Sequence, residues 1–522
     1  MSSGDSSCGS PIEELKRDSP PPTHAVAGPS SNAVMDSSSV TLAAQDPMQV
    51  EKALAALNEK QAAYEVAKLE AGEHPQTWSK LKRWTAVLTI CMGALLGTCA
   101  SSAAAFAETG IANEFNVSKE VTILGVSLYV MGLGLGPLIA GPISEVMGRS
   151  VVYQGSYLFF FAFSWPVAFA PSIQEYIVFR FFTGFAASAF LSVAGGSVAD
   201  MFAPDEIATP LAIFTISPFL GPEIGPLYSG FVNQYLDWRW TFHILTIWAF
   251  IETIALFLFV PETFVPVLLK RKAERLRRST GDLNYWAPQE RSNRSFGQAL
   301  LKSCTVPFIL TFREPMAFLI NFWNSLILGI LYLTFQAFPV VFAKHNFNMW
   351  QTGLTFLGIF VGMLIGLSTQ PYWNYRFRKF KAYWGVDPPP EFRLAQGMVG
   401  GLLIPISLFW LAFTTYPSVH YAVPIVASVP FGTGVYFAYT SSFTYLVVAY
   451  RSIAANALAA NSAMRSSFAA GFPLFAGAMY NTLGTVGATA LLAGLTLVMA
   501  PLPFIFYKMG GRLRERSTFA SA

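Results

Sequence analysis

The residues best able to do chemistry in this chain are charges set where charges are costly. Arg180 stands inside one apolar run, in Arg180-Phe181-Phe182-Thr183-Gly184, and Glu223 inside another, in SPFLGPEIGPLYSG from Ser217 to Gly230. An ionisable residue within a bilayer-length apolar run marks a pathway or an internal partner by default. At 1.5 Å per residue, Arg180 lies about 30 Å along its run from Asp200, and Glu223 about 24 Å into its run from Ile207. As antiparallel helices the two runs place these charges at similar depth, where they are able to pair. Such a pair is either a static internal bridge or one made and broken by protonation. Arginine stays charged, so the carboxylate would be the proton carrier. Glu252 and Glu108 sit in apolar runs too and compete for that role, although Glu108, near a run's end, has water within reach.

Three further constellations carry physical meaning. In the loop Gly141 to Ser150, Glu145 and Arg149 stand four residues apart, and Asp200 ends a neighbouring run on the same side. Asp200 is a plausible partner for Arg149, and the pair is either a generic surface pair worth under about 1 kcal/mol or a gate latch that counts in one conformation only. Gly221, Pro222, Gly225 and Pro226 repeat every four residues and give one helix face a flat stripe that another helix can approach closely. That stripe reads either as a kinked packing surface or as a hinge between moving halves. Arg465 with Asn461 and Asn456 puts polar groups on successive turns, facing a cavity or internal packing. Asn116-Val117-Ser118 is a glycosylation sequon, set too close to the next run to favour its use.

The elements that position these residues are membrane helices. Only 12% of the 522 residues are charged and 46 are Phe, against about 25% charged in soluble proteins. Repeated apolar runs of about twenty residues identify an all-α polytopic membrane protein. Twelve spans are expected, near 84–107, 121–141, 151–170, 174–199, 207–235, 242–260, 316–342, 351–372, 395–415, 419–447, 453–479 and 484–506. The organisation expected is a disordered segment 1–80, a six-helix bundle 81–261, a basic connection 262–315, a second six-helix bundle 316–507 and a tail 508–522. A short charged helix is expected over Glu51 to Glu70. Lys270, Arg271, Lys272, Arg275, Arg277 and Arg278 crowd the connection, which therefore stays cytosolic, and both termini with it. Pro266 to Arg278 reads as a basic amphipathic helix on the inner leaflet or as a solvated loop.

Enzyme chemistry has no support here. No phosphate-binding glycine loop, HExxH, paired-cysteine metal site or nucleophile–base arrangement occurs, and four scattered cysteines make no disulfide framework. No cofactor or nucleic-acid partner is expected. The net charge of +4 comes from basic residues flanking apolar spans.

The pattern resembles the major facilitator superfamily, and within it the fungal twelve-span drug:proton antiporters. Gly141 to Arg149 is similar to the superfamily's loop signature, Arg180 to Gly184 to its helix-four arginine motif, and Gly221-Pro222 to Gly225-Pro226 to the antiporter motif of helix five. Trp238 to Phe242, Pro261-Glu262-Thr263, Phe312-Arg313-Glu314-Pro315, Pro390-Glu391 with Arg393-Leu394, and Phe472-Pro473-Leu474-Phe475 resemble the fungal subgroup. Three features depart from it. Ser150 replaces a basic residue, Val448 stands where relatives often carry Asp, and the loop after the eighth span lacks an acid–glycine signature. The resemblance implies two six-helix bundles around a central cavity and alternating access. It implies proton-coupled export of an amphipathic secondary metabolite, glycolipid-like or an organic acid, or of a toxic compound, by a monomer in the plasma membrane. Multidrug or polyamine export, proton-symport uptake and a non-transporting sensor are the alternatives.

Overall fold

The computed structural model describes residues 64–66, 68–70, 72–203, 206–291, 296–385, 388–515, 517 and 519. The chain divides into Met1–Tyr64 and Glu65–Ala522, and the helices described below lie in the second unit. Most of the expected polar segment lies outside the described residues, as does the start of the charged helix expected from Glu51. The described part of that stretch, from Tyr64, is turn and extended chain.

The first half comprises α1 (Lys80–Phe115), α2 (Lys119–Leu135), α3 (Pro137–Met147), α4 (Arg149–Ala168), α5 (Ile173–Ala187), α6 (Ala189–Met201), α7 (Ala208–Tyr235) and α8 (Arg239–Phe259). The connection carries α9 (Val265–Thr280) and α10 (Phe296–Arg313). The second half comprises α11 (Pro315–Ala343), α12 (Met349–Thr355), α13 (Leu357–Ser368), α14 (Gln370–Trp384), α15 (Leu394–Ala412), α16 (Ala422–Ala449), α17 (Ala454–Met499) and α18 (Leu502–Glu515). All twelve expected spans fall on helix. Among the described residues, nine helical stretches are long and apolar enough to cross a membrane on their own, and the last, Ala454–Glu515, holds two spans. Gly484, at φ 69° and ψ 173°, divides those two spans, a conformation for which glycine is the usual residue. The remaining spans, α4 and α7, carry more Gly, Ser, Tyr and Pro.

Within the first half, α1 packs along α7, α2 against α5, and α4 against α5 and α8. In the second half α11 packs along α17, and α15 along α16. The halves meet through α2 with α17 and through α7 with α12 and α13. α7 remains one helix despite Pro218, Pro222 and Pro226. Its glycines explain its fit. A Cβ on Gly221 would reach within 2.6 Å of the Leu95 carbonyl, and one on Gly225 within 2.8 Å of the Ala103 amide, both on α1.

The boundary expected at residue 80 moves. Val66 accepts no freedom as a tail: its N–H donates to the Trp286 carbonyl at 2.9 Å, and its side chain packs with Leu269, Ala273 and Ala287. Lys272 Nζ reaches Glu70 at 2.9 Å and Glu73 at 3.0 Å. The Lys272 hydrogen bond holds the Glu73 carboxyl below its ordinary range. Residues 265–280 are thus helical, as the charge pattern allowed, but the apolar side of α9 is covered by protein. A run such as Val66-Leu69 is too short to signal burial by itself.

Candidate functional site

Arg180 is almost wholly buried, 1% exposed. Its Nε donates to the Gly125 carbonyl at 3.0 Å, Nη1 to Ala100 at 2.9 Å and Nη2 to Ser101 at 3.4 Å. Its guanidinium also lies 4.2 Å from the Tyr129 ring centroid. Carbonyls of α1 and α2 and an aromatic face therefore satisfy it. The ion pair expected with Glu223 is absent. Helix depth says nothing about azimuth, and Arg180 turns to the α1–α2 backbone. Glu223 is 0% exposed, and neither carboxylate oxygen has a hydrogen-bond partner. An unpaired buried carboxylate is costly as an anion. Phe219, one turn before Glu223 on the same helix face, stacks on Tyr439 of α16 at 4.6 Å. Glu223 thus lies about one turn from a contact joining the two halves.

Arg465 of α17 faces the same contact. Its guanidinium lies 5.9 Å from Phe219, 5.6 Å from Tyr439 and 5.4 Å from Phe443. Its Nε is buried without a hydrogen-bond acceptor. Asn461 donates to Asn321 of α11 at 2.9 Å, so it ties α17 to α11. Both amide polar atoms of the neighbouring Asn324 lack partners. Asn321 and Asn324 were not singled out from the sequence, because lone asparagines in an apolar run look alike whichever way they face.

Glu108 is 1% exposed, so the expectation that it simply reaches water is corrected. Its carboxylate accepts from Gln336 of α11 at 2.7 Å, across the two halves, and Lys119 stands 4.0 Å away. Ser101 and Tyr332 make a second cross-half hydrogen bond at 2.7 Å. Glu252 is buried on α8, with Oε1 unpartnered, and no described hydrogen bond or ion pair links it to Arg180 or Arg465.

The Gly-Pro stripe serves two contacts. Gly221 and Gly225 seat α7 on α1, within one half. Beyond them, the Pro226 carbonyl and Gly230 abut Gly353 of α12, in the other half. Pro222 lies within the helical run beside Gly221.

At the end bearing the basic loops, Arg149 Nε lies 3.5 Å from Asp200, joining α4 to α6. Its Nη1 donates to Ser144 at 2.7 Å. Glu145 is exposed and makes no ion pair with Arg149 among the described residues, so of the expected trio only Arg149 and Asp200 pair. Glu262 takes the place of Glu145. Its Oε1 accepts from the backbone N–H groups of Arg149 at 2.8 Å, Thr263 at 3.0 Å and Phe264 at 2.9 Å. A carboxylate thereby caps the N-terminus of α4, where negative charge is favoured. Gly148 has φ 104°, and a Cβ there would overlap the Glu262 carboxylate. Ser150 donates to the Val260 carbonyl at 2.8 Å, anchoring α4 to the end of α8. The four-residue spacing of Glu145 and Arg149 was misleading because Gly148 breaks the helix between them.

Asn116 is exposed and closes α1 in the left-handed conformation, φ 50°. Asparagine tolerates that geometry, which accounts for the residue without a glycan.

A model of the Major Facilitator Superfamily matches residues 89–473. The efflux pump atB of Aspergillus terreus is 51% identical over 397 residues, covering 75% of this chain and 83% of the relative. The probable drug/proton antiporter YHK8 of Saccharomyces cerevisiae is 39% identical over 446 residues, 85% of this chain and 86% of the relative. Among solved structures, the partially occluded inward-open xylose transporter XylE from E. coli superposes with a TM-score of 0.57 at 15% identity, covering 82% of this chain and 99% of that one. At that identity the likeness is one of fold.

Proposed function

Because the chain belongs to the Major Facilitator Superfamily and shares its family with fungal efflux pumps and drug/proton antiporters, we propose that it is a proton-driven exporter of a small amphipathic molecule. Secondary metabolites, glycolipid-like or organic acids, come first among substrates, then toxic compounds. The transporter works as a monomer by alternating access in the plasma membrane, with both termini and the basic loops cytosolic. The relatives' names support the direction. The observation that carries the coupling is Glu223: wholly buried, without a partner, on the helix that joins the halves. A carboxylate so placed is the group to load and release a proton as the halves rock. Arg180, held by backbone carbonyls, organises α1, α2 and α5 around it. Asp200, Arg149 and Glu262 brace the cytosolic end.

The test is proton flux and substrate accumulation in proteoliposomes under an imposed gradient. Glu223→Gln should retain substrate exchange and lose gradient-driven accumulation. Retained full coupling would remove Glu223 from the role. Accumulation in the opposite sense would make the protein an uptake carrier, and no flux of any bound ligand would leave a sensor. A second carrier deserves the same assay. Glu108 is buried and bonded across the halves to Gln336, a contact that separation of the halves must break, so Glu108→Gln is the paired variant.

A further inference from the structure

α14 continues the span of α13 but has no buried residue along its fifteen positions. It carries Arg376, Arg378, Lys379 and Lys381 and no acid. Tyr372, Tyr375, Tyr383 and Trp384 are strongly exposed. A helix of this composition fits the headgroup layer, where aromatic rings and basic side chains anchor at the interface. Arg376, Arg378 and Lys379 make no ion pair among the described residues. The nearby acid Glu391 is engaged by Arg514 at 2.8 and 3.3 Å.

Between α14, the start of α15 and α16 lies a cavity of about 30 Å³, lined by Trp373, Arg376, Phe392, Arg393, Gln396 and Thr440 among others. That is room for roughly one water-sized group. Arg376 lies 5.6 Å from the Trp373 ring and 5.5 Å from Phe392, and Arg393 covers Phe377 at 3.7 Å. The indole N–H of Trp373 is buried without an acceptor. A buried donor beside a guanidinium requires an acceptor, and the cavity has the size of a single oxygen reaching inward.

We infer that this cavity seats one phosphate oxygen of an anionic phospholipid headgroup, bound by Arg376 and the Trp373 N–H, with α14 lying on the leaflet that the basic loops face. The rest of the headgroup stays at the mouth, against the basic side chains of α14. Zwitterionic lipids satisfy the indole equally but lack the net negative charge that the acid-free helix selects. The site belongs to the second half alone and does not depend on proton coupling or on the exported molecule.

Native mass spectrometry of the purified full chain in detergent tests it, with dioctanoyl phosphatidylserine, dioctanoyl phosphatidylcholine and inorganic phosphate as probes. Phosphatidylserine should bind preferentially. Trp373→Phe keeps an aromatic ring and removes one hydrogen bond to a charged group, which should weaken phosphatidylserine on the order of tenfold. Arg376→Gln should weaken it at least as much. Arg378→Gln and Lys379→Gln, on the exposed side, should change it by about twofold. Lipid-free melting of each variant reports folding separately, and Trp373→Phe suffices if Arg376→Gln fails to fold. Equal binding of phosphatidylcholine, equal loss in all four variants, or binding of phosphate alone at the same strength would overturn the assignment.

Discussion

Each half sets an arginine within an apolar helix, one wholly buried and one partly so, and they treat it in opposite ways. Arg180 spends its donors on three backbone carbonyls and lays its face on Tyr129. Arg465 has aromatic rings around it and a buried Nε with nothing to donate to. The first is the geometry of a brace, because every hydrogen bond it makes ties α5 to α1 or α2. The second is the geometry of a group that ties no helix to another through a hydrogen bond from its Nε. A charge motif in a membrane helix therefore does not by itself separate structure from mechanism; its acceptors do.

The most disruptive way to test that contrast is the same change at both sites. Arg180→Met strips three donors from buried carbonyls and should cost about 3 kcal/mol or more. Arg465→Met removes a partly buried guanidinium whose Nε has no acceptor and should stay within about 1 kcal/mol of neutral. Melting of the purified variants in detergent checks this, and equal losses would break the comparison.

The brace depends on α1 lying close enough to offer Ala100 and Ser101 to Arg180. Gly221 and Gly225 let α7 press against that same stretch of α1, Leu95 to Ala103. Gly225→Leu would drive a side chain into the Cys99–Ala103 backbone and should cost about 1–3 kcal/mol and most of the folded yield. Gly155→Leu, at a glycine with open space around it, should leave yield near normal by size-exclusion profile.

At the basic end the contrast lies between two glutamates. Glu262→Gln weakens the cap on α4 by about 1 kcal/mol and should slow turnover several-fold at normal abundance. Glu145→Gln should not change it. Transport rates normalised to membrane protein decide the point.

The smallest effect is expected where the chain before α1 meets α9. Glu73 is held below the ordinary carboxyl value of 4.5 by its bond to Lys272. Its contribution is therefore present above about that pH and lost as pH falls through the lower folded value. For so exposed a pair it is well under about 1 kcal/mol. Protection factors of the described amides between Glu65 and Thr77, corrected for intrinsic exchange, should fall modestly between about pH 5 and pH 3, and less in Lys272→Gln.

Composition and spacing alone determined the spans and their grouping on either side of a basic connection. Those properties follow from apolar run length and rise per residue, which are local. The close approach of the Gly221–Gly225 stripe was also legible, since a missing Cβ is visible in the sequence. Partner choice was not. Arg180 took carbonyls instead of Glu223, Arg149 paired with Asp200 as expected but gave its backbone N–H to Glu262, and Glu108 found Gln336 more than two hundred residues away. Each of those outcomes depends on the azimuth of a helix and the identity of its neighbour. Only the packing of the two halves sets these, because a buried polar group takes whichever acceptor the neighbouring helix brings within reach.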